Sequence, residues 1–163
     1  MDNYFVHASG MKDGNHGCEL WISSSCGISM RDVVVSSASP RHLLCAIRSK
    51  VLTADVLVAH APQSGSGMDK VSQWWADLTR ITRTRKSPKP LICLFDANAQ
   101  VGSETSLAIG DRAAESESES GVLFHEYLME NDICLPATFG DQVHETEYTW
   151  ASPVGTFHRC DYV

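Results

Sequence analysis

Residues 52–98 read LTADVLVAHAPQSGSGMDKVSQWWADLTRITRTRKSPKPLICLFDAN, and within them the hydrophobic period changes twice. LTADVLVAHAP (52–62) is an apolar run closed by His60 and Pro62, the pattern of a buried strand. From Met68 onward Val71, Trp74, Trp75, Leu78 and Ile81 recur at three- and four-residue steps, the stripe of an amphipathic helix over 68–84. Ser66, Gly67 and Asp69 suit its start, and the basic residues with Pro88 suit its end. LICLF (91–95) is a second apolar strand, and it stops abruptly at Asp96. Strand, helix and strand in this order predict a βαβ crossover, which makes the two strands parallel neighbours in one sheet. Their carboxyl ends then share one edge, with His60 finishing one strand and Asp96 the other. In open α/β sheets that edge is where ligands usually bind.

Asp96 and Asn98 stand two positions apart, so in an extended segment their side chains point the same way. Both residue types also favour turns, and on the residues alone a strand-ending turn and a polar site stay open as alternatives.

Working outward, GCELWIS (17–23) reads as a strand, and RDVVVSSAS followed by Pro40 and RHLLCAIRS reads as a hairpin. GVLFHEYLME (121–130) is a second short helix, DICL (132–135) a strand, and two more strands lie around EYTWAS and HRCDYV. AAESESES (113–120) has no apolar anchor and is expected as a solvated acidic loop. Trp74 and Trp75 lie about 100° apart around a helix, so at least one belongs to a helix–sheet core. Arg80, Arg83, Arg85, Lys86 and Lys89 complement the dipole at the end of the first helix rather than marking a binding patch.

A chain of 163 residues, 43% hydrophobic and 20% charged, is expected to form one soluble globular domain. No apolar run approaches the roughly 20 residues that span a bilayer. The opening MDNYFVHASG has neither the basic start nor the long apolar core of a secretory leader, so the expectation is an intracellular protein, the nucleus included, and not a secreted one. Six cysteines occur singly, without a CxxC pair, which signals reduced core thiols rather than a zinc or redox site. A formal charge of −7 argues against coating nucleic acid by bulk electrostatics, yet is compatible with touching a polyanion locally.

The succession GCELWIS, VLVAHAP, LICLFDANAQVG and YTWASPVGTFHRCDYV resembles the endonuclease/exonuclease/phosphatase family, and most of all its non-LTR retrotransposon branch. A lone Asp-x-Asn is common; four blocks in the family's order over residues 4–163 are far more specific. The resemblance implies a four-layer α/β sandwich, two mixed β-sheets packed face to face with helices outside, here partial and truncated at both ends. It also implies phosphodiester hydrolysis, DNA as the partner, no membrane, and Mg2+ or Mn2+ as cofactor. On it, Asp96 orients or deprotonates the attacking water and Asn98 contacts a phosphate oxygen, with both as candidate metal ligands. His60 stands where a phosphate-contacting tyrosine is often found, Asp161 orients a histidine, and Trp150 and Arg159 are substrate-binding candidates.

The departures carry equal weight. The family's metal-binding Glu and its Ser-Asp-His motif have no counterpart here, and Glu19 falls after the position where that Glu stands. Asp161 is thus an orienter without its histidine. The expectation is an incomplete domain over 1–163, inactive in isolation and prone to self-association through open sheet edges. The alternatives are a catalytically dead remnant, a binding module of the same fold, or a phosphatase for another phosphate ester.

Overall fold

A computed structural model describes residues 3–10, 16–85, 88–140 and 148–163. The chain divides into two compact units, residues 1–60 with 86–94 and residues 61–85 with 95–163.

In the first unit, β1 (Tyr4–Ala8) and β2 (Glu19–Ser23) form an antiparallel pair. β3 (Val33–Ser39), β4 (His42–Arg48) and β5 (Thr53–His60) form an antiparallel meander, with a bulge between Val35 and Ser37. β6 (Leu91–Asp96) follows β5 in the sheet, whose order is β3-β4-β5-β6-β9. The neighbouring of β5 and β6 is what the crossover predicts. Leu20 and Ile22 of β2 pack with Val33, Leu43, Cys45, Ile47 and Val56, so the two sheets of this unit meet through an apolar layer. The alternation that makes this possible is visible in β2, where Leu20 and Ile22 are buried while Glu19 and Trp21 are exposed. Asp55, buried on β5, is paired with Arg48 at 2.6 Å, which supplies the partner a buried carboxylate requires.

His42 is another buried polar group of this sheet. Its Nε2 lies 2.9 Å from Ser37 Oγ and its Nδ1 2.7 Å from Ser39 Oγ. Burial favours the neutral ring and holds its pKa below the usual histidine value. Protons therefore bind the unfolded chain first, and the stability this site contributes is present above the unfolded pKa of about 6.5 and lost as pH falls through the lower folded value. The expected result is a urea midpoint that drops on acidification from pH 7.5 to 5, with a smaller drop in His42→Gln. An equal drop in both proteins would remove His42 as its source.

In the second unit, α1 (Met68–Arg83) buries Val71, Trp75 and Leu78 of the predicted stripe, with Trp74 and Ile81 part-buried and Thr82, outside the stripe, buried as well. α2 (Glu119–Glu130) buries Phe124, Tyr127 and Leu128. Trp75, Phe124 and Tyr127 gather on Phe95 of β6, and Tyr162 of β9 (Asp161–Tyr162) closes the cluster against Phe124. Helices thus cover the sheet here, and the mixed sheets flanked by helices give an α/β sandwich of the expected class. β7 (Trp150–Ala151) pairs with β8 (Phe157–His158). The basic residues behave as a helix end: Arg80 pairs with Asp77, and Arg83 lies 3.5 Å from Glu130; Lys86 lies outside the described residues.

Four local expectations need correction. DICL is not a strand: Asp132 adopts a left-handed φ of 54°, Ile133 N–H returns to Leu128 O, and buried Leu135 donates its N–H to Ala108 O. Pro136, which has no N–H for a ladder, then opens a short 3-10 turn. Segment 113–120 is not wholly a loop either, since Glu119 and Ser120 begin α2, Ser118 caps it and Ser120 is buried. HRCDYV divides between β8 and β9, and EYTWAS contributes only the two residues of β7 among those described. Cys26 and Cys134, expected as core thiols, are exposed. Among the described residues no helix is long and apolar enough to cross a membrane.

Candidate functional site

Phe95 and Asp96 end β6 opposite Tyr162 and Asp161 of β9. Beyond them the chain turns sharply. Asn98 takes a left-handed φ of 47°, a conformation that asparagine tolerates better than most residues. Its N–H donates to Asp96 Oδ1 at 3.3 Å, and its Nδ2 donates to Ala61 O at 2.9 Å. Ala61 in return donates its N–H to Asp96 O at 2.8 Å, and Ala97 donates to Cys160 O at 2.7 Å. The strand therefore stops because both polar side chains bond to main chain, in the manner of an Asx-turn. The turn reading accounts for one Asp96 oxygen contact and for the Asn98 amide nitrogen.

Asp161 faces Asp96 in register, and its N–H and that of Cys160 both donate to Thr149 Oγ1, at 3.1 and 3.0 Å. Thr149 thus ties the start of β7 to the start of β9. The Cys160 thiol is pushed up to about 11, first by burial and then by the charges of Asp96, Asp161 and Glu115. It stays protonated at neutral pH. Tyr162 is also raised, chiefly by burial, and its hydroxyl donates within bonding distance of Ala99 O and Arg159 O, at 3.0 and 2.9 Å. That residue ties the turn after Asp96 to the strand carrying Asp161.

Two residues near this strand were not anticipated. Glu115 Oε2 lies 2.6 Å from His158 Nδ1, while Oε1 accepts the Arg159 N–H at 2.7 Å. With the carboxylate as acceptor, Nδ1 is the ring nitrogen that carries the shared hydrogen. Trp150 stacks on that ring, with centroids 5.8 Å apart and planes at 25°. Trp150 is nevertheless 48% exposed. The only hint of the pair in the sequence is His158 beside Arg159; Glu115 is hidden in the acidic run.

His60 belongs to the first unit, at the end of β5, where it donates its N–H to Arg41 O at 3.0 Å and accepts Arg41 Nη1 at 3.3 Å. Glu19 lies on β2 and accepts the Trp21 indole N–H at 2.8 Å. Among the described residues no three His, Cys, Asp or Glu side chains converge on a position that could hold a metal ion. Mg2+ asks for oxygen ligands in near-octahedral array, and no such group of side chains is found among the described residues. The described residues do not fit the divalent cation implied by the family motif.

No family model matches the chain. Craniofacial development protein 2 from Bos taurus is 22% identical over 167 residues, covering 99% of this chain and 28% of that protein. The endonuclease domain of TRAS1, a telomere-specific non-LTR retrotransposon, has a TM-score of 0.66 at 17% identity, over 98% of this chain and 65% of that domain. The chain thus spans less than two thirds of each, and at these identities the likeness is one of fold.

Proposed function

We propose, from the premise of an endonuclease/exonuclease/phosphatase-like fold related to that of non-LTR retrotransposon endonucleases, that this chain is a nucleic-acid-binding module whose described residues do not cleave the strand. The observation that carries the reading is the absence, among the described residues, of a cation ligand set around Asp96. Without a cation, Asp96, Asp161 and Glu115 repel a phosphate instead of steering a water to it. What the same region offers a nucleic acid is the half-exposed Trp150 ring for stacking, held in place by His158. DNA is the proposed partner, because the TRAS1 domain is an endonuclease domain.

Binding of a fluorescein-labelled 20-mer, single-stranded and duplex, is read by anisotropy at low salt, alongside nicking of supercoiled plasmid with 5 mM Mg2+. The conditions are set at about these values because phosphate contacts are salt-dependent. Saturable binding is expected without nicking, weakened about 10-fold in Trp150→Ala, the scale of one lost base stack. Nicking that vanishes in Asp96→Ala would reinstate metal-dependent hydrolysis, and failure to bind either DNA would sink the binding reading.

A further inference from the structure

Apart from the Asp96 turn, the second unit holds a hydroxyl, an imidazole and a carboxylate in a chain. Ser106 Oγ lies 2.8 Å from His125 Nε2, and His125 Nδ1 lies 3.0 Å from Glu117 Oε1. The three come from different elements: Ser106 from the loop after β6, Glu117 from the residue before the Ser118 cap, and His125 from the second turn of α2. Side chains on a helix lean toward its N-terminus, which carries the His125 ring back toward Glu117.

The protons in this chain follow from the hydrogen-bond inventory. Ser106 Oγ also accepts the N–H groups of Ala108 and Ile109, at 3.0 and 3.3 Å. A hydroxyl oxygen has two lone pairs, so these donors fill its acceptor capacity and direct its own proton at His125 Nε2. Nε2 is then the bare nitrogen, and Nδ1 carries the hydrogen donated to Glu117. This is the tautomer that hydrolytic serine sites require. The two amides also stabilise negative charge on the oxygen, which favours ionisation of the hydroxyl. A purely structural staple needs the bonds but not this direction of protons. Side-chain exposures of 15% for His125 and 12% for Glu117 shield the relay, while Ser106 itself is part-exposed, next to the exposed Leu107.

We propose that Ser106, His125 and Glu117 form a nucleophilic site for small carboxylic esters. Ser106 Oγ attacks the ester carbonyl as its proton passes to Nε2, and the longer N–H contact, from Ile109, gives way to the new O–C bond. The C–O bond to the alcohol breaks, the leaving oxygen takes the proton from Nε2, and an acyl-Ser106 remains. Water then attacks the acyl carbon, giving its proton to Nε2. That proton returns to Oγ as the carboxylic acid leaves. Glu117 orients the ring and stabilises its transient charge without taking the proton. Nothing in this proposal depends on the DNA reading.

The test treats the full chain with a fluorophosphonate, followed by intact-mass and peptide-mass analysis, and with p-nitrophenyl acetate. One phosphonyl adduct on Ser106 is expected, absent from Ser106→Ala and formed about 100-fold more slowly in His125→Asn, the scale of a lost general base. Release of p-nitrophenolate from the acetate ester should fall about 100-fold in His125→Asn as well. Ser106→Cys, which keeps an acceptor for the two amides, should retain the native circular dichroism and take no phosphonate. A folded wild-type chain that takes no adduct, or an adduct that persists in Ser106→Ala, overturns the proposal.

Discussion

Trp75→Ala is expected to lower stability by about 3–5 kcal/mol, the range for removing a large buried aromatic side chain. The indole is 3% exposed and stands at the centre of the second unit's aromatic cluster, 5.2 Å from Phe124, 5.1 Å from Tyr127 and 6.1 Å from Phe95 by ring centroids. Its Nε1 has no hydrogen-bond partner. The loss is therefore one of packing, with no acceptor orphaned by the change. Trp75→Phe should cost much less, since it removes an unsatisfied N–H together with one ring. Trp74, at the same helix but only part-buried, provides the control, and Trp74→Ala is expected to cost under half as much. Urea unfolding decides the matter: equal midpoints for the two alanine variants would refute the assignment of Trp75 to the core. Because Phe95 immediately precedes Asp96, loosening this cluster also loosens the strand end on which the candidate site is built.

Gly121→Ala is the second large effect, and two opposing magnitudes settle its sign. In a helix, glycine to alanine normally gains about 1 kcal/mol. Here an added Cβ would lie 2.1 Å from Gln100 O and 3.2 Å from Gln100 C, both main-chain atoms. Backbone cannot rotate away as a side chain can, and overpacking of this kind costs about 1–3 kcal/mol or more. Net destabilisation is expected. Gly65→Ala, with nothing within 4 Å of its Cβ, should change stability by less than about 0.5 kcal/mol. A Gly121→Ala protein as stable as the parent would mean that α2 and the Gln100 segment are less closely apposed than the structure has them. Amide exchange would show where the strain goes, with faster exchange expected around Ala99 to Val101.

Much of the scaffold was legible because the relevant signals are local. Val71, Trp75 and Leu78 announce a helix by their spacing, and their burial follows from it. Short apolar runs bounded by polar or turn residues announce β2 to β6 in the same way. β1 was missed because Tyr4 and Val6 are exposed, so no buried face stands out in its alternation. DICL was misread because a four-residue apolar run looks alike whether it pairs in a sheet or, like Leu135, plugs into a loop through a single N–H to Ala108.

The candidate site divides along the same line. Sequence by itself determined the order of the elements, the crossover and hence the strand end at Asp96, since periodicity and chain connectivity act over a few residues. Tertiary structure alone decided what the polar groups do. Asn98 spends its amide nitrogen on Ala61, Glu115 meets His158 across 43 positions, and Ser106 meets His125 across 19. No period encodes such pairings, because each is set by where folding leaves a buried donor opposite an acceptor. That requirement, acting after the apolar faces have packed, separates a carboxylate that serves a turn from one that serves a reaction.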